Sequence, residues 1–295
     1  MRRMPQLKGL LVPPVTPMFD DNTLDLQGVI NLSERYLASE AVDGLFAIGA
    51  TGEYACLSKD ERLDLISSLS KVKRNGKIIV VNTGGKSTEE TLELSNSVKE
   101  HKLDAIAVVV PTHIEDTIEA MLEYYGLVNE IGLPFMVYRP PFITTHQLSE
   151  ELVGSMMKFE NFVGLKDSSR NMELFAALCA KFGDQISIFQ GVEMLHLPSL
   201  ACGSAGTVGG GLNIYPGLIA DITNAFDAHD ISKAIRIQSY VTGLWSKLNP
   251  DGSFRWRFKH LWKQLGVIEG THCRIGDSIN IDSDEMKMLE DMMAF

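Results

Sequence analysis

Short apolar runs alternate with longer stretches of mixed apolar and polar residues over most of the chain. The runs lie at residues 10–12, 44–48, 78–81, 105–109, 135–138, 162–165, 186–189 and 205–208, the last being the weakest. They are almost continuously apolar, which is typical of parallel strands that are covered on both faces. The pattern therefore predicts eight buried parallel strands.

The stretches between the runs carry signals for the starts of helices. Ser58 is followed by Glu61, and Ser87 by Glu90, at the spacing of a capping box, which satisfies the first free amides of a helix. Eight strand–helix units within about 225 residues fit a closed (β/α)8 barrel better than an open doubly wound sheet. No Gly-x-Gly-x-x-Gly turn follows the first strand. We therefore predict an α/β protein with a (β/α)8 TIM barrel over residues 1–227.

The strand pattern stops after Asp227, and residues 228–295 are predicted to form a helical C-terminal extension. Helical stretches lie near 231–247, 253–266 and 283–293. In the second stretch Phe254, Phe258, Leu261, Trp262 and Leu265 fall on one face, and Arg255, Lys259 and Lys263 fall on another. A mixture of basic and aromatic residues is also compatible with a nucleic-acid surface. The amphipathic pattern by itself predicts a packing helix.

Composition narrows the function classes. A net charge of -11 argues against binding to nucleic acid, which requires clustered Lys and Arg. The four cysteines show neither metal-ligand spacing nor the density of a disulfide scaffold, and the histidines form no HExxH pattern. The longest strongly apolar segment, 105–111, is too short to cross a membrane, and the basic segment 1–5 lacks the apolar run of a signal peptide. We expect a cytoplasmic protein without a metal.

The ends of the strands carry the candidate chemistry, because the active site of such a barrel lies at the carboxyl ends of its strands. Lys166 closes the sixth run, where burial lowers an amine pKa and frees it to attack a carbonyl; the alternative is a lysine that points into water. Tyr138 ends the fifth run, as a proton relay or as a packed ring. Residues 49–53 (Gly-Ala-Thr-Gly-Glu) follow the second run, as a backbone nest for a carboxylate or as a plain glycine-rich turn.

Together these strand ends resemble the dihydrodipicolinate synthase/N-acetylneuraminate lyase family of class I, Schiff-base-forming aldolases. Segments 13–19 (Pro-Pro-Val-Thr-Pro-Met-Phe), 203–208 (Gly-Ser-Ala-Gly-Thr-Val) and 213–216 (Asn-Ile-Tyr-Pro) extend the resemblance over most of the chain. The resemblance implies that Lys166 forms a Schiff base with pyruvate or another 2-keto acid and that Tyr138 relays protons. It also implies that Ala50, Thr51 and Val208 belong to the substrate-binding part, with Thr51 and neighbouring amides holding the carboxylate. It further implies no cofactor and a homotetramer built of close dimers.

The chain departs from the enzymes of this family that make dihydrodipicolinate. Ala50 replaces the first of two threonines, and residues 111–113 (Pro-Thr-His) replace a Pro-Tyr-Tyr whose second tyrosine reaches the neighbouring subunit's site. Arg139 and Ile143 stand where those enzymes have Asn and a substrate-binding Arg. The differences favour a lyase for another 2-keto acid, such as a 2-keto-3-deoxy sugar acid or N-acetylneuraminate. A true synthase of lysine biosynthesis and a 2-keto-acid-binding regulatory protein without turnover remain alternatives.

Three further residues each have two interpretations, and Glu193 has one. Arg139 binds a distal carboxylate of the substrate, or it forms an ion pair at the rim. Glu193, on the loop after the seventh run, is expected to bind substrate hydroxyls. His113 replaces the missing relay tyrosine, or it is an ordinary loop or interface residue. Glu53 resembles a catalytic carboxylate by its position, but we expect it to accept backbone amides and brace its loop.

Overall fold

The computed structural model describes residues 6–141, 146–276, 278–279 and 281–293. The basic N-terminal segment 1–5 and Ile143, on which two of the sequence interpretations rest, lie outside these residues. Eight strands form within them: β1 (Gly9–Val12), β2 (Gly44–Ala47), β3 (Ile78–Asn82), β4 (Ala105–Val108), β5 (Phe135–Arg139), β6 (Phe162–Asp167), β7 (Ser187–Gln190) and β8 (Gly206–Thr207). Each predicted apolar run overlaps one of these strands.

The strands pair in parallel in chain order, and β8 pairs back to β1, so that the sheet closes into a barrel. Strand residues are buried almost throughout, and Leu45, Ile106 and Leu165 have no exposed surface. Burial on both faces explains why the runs are continuously apolar, since one face fills the barrel and the other meets the helices. The predicted (β/α)8 barrel is confirmed.

Helices alternate with the strands around the barrel. They are α1 (Leu26–Leu37), α2 (Lys59–Leu69), α3 (Thr88–Glu100), α4 (Ile118–Glu130), α5 (Glu150–Met156), α6 (Met172–Phe182), α7 (His196–Ala201) and α8 (Pro216–Asp227). The capping box predicted at Ser58 is present. The box predicted at Ser87 is wrong in one half: Ser87 accepts from the Glu90 amide, but the Glu90 carboxylate accepts from the amide of Lys86.

Three helices follow the barrel: α9 (Ile231–Leu248), α10 (Phe254–Gln264) and α11 (Ser283–Met293). The predicted apolar face of α10 packs inward, except that Leu265 lies beyond the end of the helix and is 45% exposed. The prediction that Lys259 lies on a separate polar face is wrong, because its side chain is completely buried. No helix among the described residues is long and apolar enough to cross a membrane.

An irregularity in β6 aligns two candidate residues. Phe135 pairs with Phe162 and Met136 with Gly164, so Val163 is an extra residue in the ladder. After this bulge Tyr138 lies directly opposite Lys166. Gly164 also allows β6 to lie close to β7, since a Cβ at this position would lie 2.2 Å from the carbonyl oxygen of Ser187. The bulge and the glycine thus set which side chains meet at the end of β6.

Candidate active site

Lys166 lies at the carboxyl end of β6 and is 4% exposed. Its Nζ is 4.3 Å from the centre of the Phe46 ring and 4.5 Å from the centre of the Tyr138 ring. The alternative of a lysine that points into water is therefore wrong. Because β6 pairs in parallel with β5 and β7 in the closed barrel, its carboxyl end lies at the same rim as the carboxyl ends of its neighbours.

Burial lowers the pKa of Lys166 to about 7, and the carboxylate of Glu193 acts in the opposite direction. The cause is desolvation, because removing water from around an amine disfavours its charged form. A substantial fraction of the side chain is then the free amine near neutral pH. This is the state that can attack a carbonyl carbon.

Tyr138 is buried beside Lys166, and its ring meets Phe46 edge-on, with centroids 5.1 Å apart. Burial raises its pKa well above the usual value, and a hydrogen bond with the Ala50 backbone acts weakly in the opposite direction. The phenol is therefore neutral at ordinary pH. It can donate a proton or a hydrogen bond, but it does not start as a phenolate.

The turn after β2 borders a cavity of about 440 Å³ at the barrel mouth. Ala50 and Thr51 line this mouth cavity together with Glu193, Arg170 and Arg255. Neither the Thr51 amide nor the Gly52 amide is among the hydrogen-bond donors found within the described residues. Two free N–H groups in one turn can donate hydrogen bonds to an anion, as expected for a backbone nest.

Glu193 begins a short 3-10 turn, Glu193–Leu195, after β7, and its carboxylate is buried. It accepts a hydrogen bond of 2.7 Å from the Gly211 amide. Burial raises the pKa of Glu193, and the Gly211 amide and the charge of Lys166 act in the opposite direction. A Cβ on Gly209 would lie 2.3 Å from its Oε2, so only glycine leaves room for this carboxylate.

Both carboxylate oxygens of Glu53 are bonded to other protein groups. Its Oε1 is 2.7 Å from Nζ of Lys259, and its Oε2 accepts from the amides of Arg274 and Ile275 at 2.6 and 3.0 Å. Its backbone has φ of 62°, a conformation uncommon outside glycine. These contacts agree with the expectation that Glu53 accepts amides and braces its loop.

Arg139, His113 and Val208 do not line the mouth cavity, and Lys166 and Tyr138 are likewise not among the described residues that line it. Arg139 is 3.8 Å from the Asp167 carboxylate, which matches the ion-pair interpretation. His113 is exposed on the turn after β4. Val208 is buried and donates its amide to the Gln190 carbonyl, which continues the β7–β8 pairing.

Two arginines at the mouth cavity were missed by the sequence analysis. Arg170 follows β6 in the left-handed region, with φ of 66°. Arg255 lies on α10, and its guanidinium reaches the carbonyls of Ala50 and Thr51. The four-residue spacing of Arg255 and Lys259 was visible, but nothing local indicated that this face of the helix turns toward the barrel. Over the part of the chain that the structure describes, no cluster of His, Cys, Asp and Glu suits a metal ion.

Comparisons with known proteins agree with this geometry. A family model described as the dihydrodipicolinate synthetase family matches residues 6–291. Two curated relatives are named 4-hydroxy-tetrahydrodipicolinate synthase. The one from Geobacter sulfurreducens is 29% identical, covering 78% of this chain and 79% of the relative. The one from Anaeromyxobacter sp. is 30% identical, covering 80% of each.

Solved structures show the same fold. Ruminococcus gnavus sialic acid aldolase superposes with a TM-score of 0.89 at 20% identity, covering 98% of this chain and 97% of that chain. The dihydrodipicolinate synthase of Bacteroides thetaiotaomicron superposes with a TM-score of 0.87 at 24% identity, covering 99% of both. With the family match over nearly the whole chain, this protein belongs to the dihydrodipicolinate synthetase family of Schiff-base-forming lyases.

Proposed function

We propose that this protein is a class I lyase that acts on a 2-keto acid through a Schiff base on Lys166. The observation that carries the proposal is the state of the Lys166 amine, which is buried at the end of β6 with its pKa lowered to about 7. Glu193, whose charge acts on this amine, lines the mouth cavity. The amine is therefore reactive, and it lies within electrostatic reach of a side chain that borders the space a substrate would occupy.

The chemistry follows from the amine. The free amine of Lys166 adds to C2 of the keto acid, and loss of water with uptake of one proton leaves a protonated imine. When the 4-hydroxyl of a bound substrate loses its proton, the C3–C4 bond breaks, an aldehyde leaves, and the electron pair moves into an enamine. Protonation of C3 and hydrolysis then release pyruvate and restore the amine. Tyr138 moves the protons in these steps, since it lies beside Lys166 as a neutral phenol.

A 2-keto-3-deoxy sugar acid is the substrate class we favour. The mouth cavity of about 440 Å³ falls in the usual range of about 300–1,000 Å³ for ligand sites and far exceeds the needs of pyruvate. The buried carboxylate of Glu193 at its wall can accept hydrogen bonds from hydroxyl groups. Thr51 and the free amides of its turn would hold the carboxylate of the acid.

A synthase of dihydrodipicolinate type is the second candidate, and it is favoured by the names of relatives at 29% and 30% identity. Ala50 lacks the hydroxyl that such enzymes carry in the second-strand turn, and Arg139 is engaged by Asp167. Binding of a 2-keto acid without turnover is a third candidate. The three differ in their products, so one set of measurements separates them.

The test is reductive trapping followed by turnover assays. Protein incubated with pyruvate and borohydride should gain one adduct, mapped to Lys166 by peptide mass, and Lys166→Ala should gain none. Lys263→Ala, an exposed lysine on α10, is the matched control and should trap normally. Cleavage of a 2-keto-3-deoxy acid would support the lyase. Condensation of pyruvate with an aldehyde would support the synthase, and trapping without any turnover would support the binding protein. A folded protein that traps no 2-keto acid would overturn the proposal.

We also propose, from the family resemblance, a cytoplasmic homotetramer built of close dimers. In such an assembly the exposed His113 lies on the turn that carries the inter-subunit tyrosine in the synthases. Native mass spectrometry should then give about four times the mass of the 32.6 kDa chain. A monomer at micromolar concentration would contradict this part of the proposal.

A further inference from the structure

The C-terminal helix α10 contacts the turn after β2 through the side chain of Arg255. Its Nε donates to the Thr51 carbonyl at 3.2 Å, and its Nη2 donates to the Ala50 carbonyl at 2.9 Å. The guanidinium thus binds two successive peptide groups of the turn. The guanidinium also lies over the Phe254 ring, with Cζ 4.5 Å from the ring centre. Two hydrogen bonds from one planar guanidinium, here called the fork, fix the orientation of the group, whereas a single hydrogen bond would leave it flexible.

Lys259, one helical turn along α10, contacts the same turn at its other end. Residues four apart lie on one face of a helix, so Arg255 and Lys259 point together toward the barrel. Lys259 forms the fully buried ion pair with Glu53. Helix α10 therefore holds residues 50–53 at two points, one on backbone carbonyls and one on a carboxylate.

The two bound carbonyls determine where the neighbouring amides point. In a trans peptide the C=O of one residue and the N–H of the next point in opposite directions, and all peptide bonds among the described residues are trans. With the Ala50 and Thr51 carbonyls turned to Arg255, the amides of Thr51 and Gly52 point away from it. Neither of these two amides has a hydrogen-bond acceptor among the described residues.

The charge of Arg255 also remains available. Among the ion pairs of the described residues none includes Arg255, and the carboxylate of nearby Glu53 is taken by Lys259. A cation that hydrogen-bonds a carbonyl polarises the peptide group and makes its N–H a stronger donor to an anion. Arg255 therefore both orients the amides and strengthens their attraction for negative charge.

We propose that Arg255 is a positioning residue that makes the turn 50–53 selective for a carboxylate at C1 of the keto substrate. The inference rests on the proposed function, because it takes the turn to be the place where the acid group binds. It makes the C-terminal extension part of the active site. The substrates so selected are 2-keto acids, and their neutral amides and esters bind more weakly.

The experiment compares a keto acid with its neutral amide. Trapping on Lys166 by cyanoborohydride is measured against the concentration of pyruvate and of pyruvamide, and the ratio of the two half-saturation concentrations is the selectivity. Arg255→Gln keeps one donor but removes the charge, and we expect the selectivity to fall about tenfold or more, the factor typical for a charged hydrogen bond. Arg255→Lys keeps the charge without the fork and should lie between. Lys263→Gln on the same helix should match the wild type.

The ratio separates this role from a structural one. If Arg255 only supports the fold, Arg255→Gln weakens the trapping of pyruvate and of pyruvamide equally, the ratio stays constant, and the inference is overturned. If Arg255→Gln does not fold, the ratio in Arg255→Lys decides in the same way. Wild-type protein that traps neither compound would overturn the proposed function together with this inference. Trapping with an unchanged ratio would overturn this inference alone.

Discussion

At the scale of the residue, Lys166 is the side chain whose chemistry depends most on its surroundings. An exposed lysine has a pKa near 10.4, whereas burial between Phe46 and Tyr138 lowers the pKa of Lys166 to about 7. Sequence reasoning identified the residue from its place at the end of an apolar run. The size of the effect depends on rings contributed by β2 and β5, which are distant in sequence.

We predict that imine formation with pyruvate rises with pH through a midpoint near 7 and then levels off. Below this pKa the amine carries a proton and cannot attack a carbonyl; above it the amine is free. The initial rate of cyanoborohydride trapping, measured across the stability range of the protein, gives the midpoint. A midpoint near the ordinary lysine value would contradict the burial argument.

Glu193→Gln removes a charge that raises the Lys166 pKa, so the midpoint of this variant should lie lower than that of the wild type. The exposed variant Glu151→Gln is the control and should leave the midpoint unchanged.

At the scale of the element, strand ends and the loops after them determine the site more than the strands themselves. The bulge at Val163 shifts β6 so that Lys166 meets Tyr138, and the loop after β8 approaches the Glu193 carboxylate closely. Apolar runs predicted the strands because burial on both faces is visible in composition. Bulges and close approaches depend on neighbouring strands, so the register could not be predicted from any single run.

We predict that Gly209→Ala destabilises the protein by about 1–3 kcal/mol, the usual cost of a buried polar group that loses its hydrogen bond. The new Cβ would lie 2.3 Å from Oε2 of Glu193 and displace the carboxylate from the Gly211 amide. Gly243→Ala, at an exposed position of α9, is the control, since a Cβ there meets nothing within 4 Å and should stabilise the helix by about 0.5–1 kcal/mol. Urea unfolding measures both. Equal stability of the two variants would contradict the close approach.

At the scale of the whole molecule, the C-terminal helices and the barrel share one hydrophobic core. Buried residues of α9, α10 and α11, such as Val241, Phe258 and Leu289, join the same cluster as the strand residues. Arg255 and Lys259 add polar contacts across this junction to the turn after β2. The division at residue 227 therefore separates patterns in the sequence and does not separate independent cores.

We predict that Lys259→Met lowers the free energy of unfolding by about 3–5 kcal/mol, because it leaves a buried carboxylate without its counter-charge. Both side chains of the pair with Glu53 have no exposed surface. Adding Glu53→Gln should recover part of the loss, since the double variant buries no unpaired charge. Denaturant unfolding of the two single variants and the double variant gives the coupling energy. Additive effects would show that the pair contributes nothing beyond its separate contacts.

The sequence by itself determined the number and order of the strands, the closed barrel, the helical extension and the family. These features follow from the burial of whole segments, which produces a periodic pattern of apolar residues along the chain, and from short motifs at the strand ends. Only the tertiary structure decided the pKa of Lys166, the pairing of Arg139 with Asp167, and the inward direction of Arg255 and Lys259. Glu53 and Lys259 lie 206 positions apart, and the contact exists only because the barrel brings α10 over the turn after β2. Local patterns record which residues are buried, whereas the identity of their neighbours is a property of the folded chain.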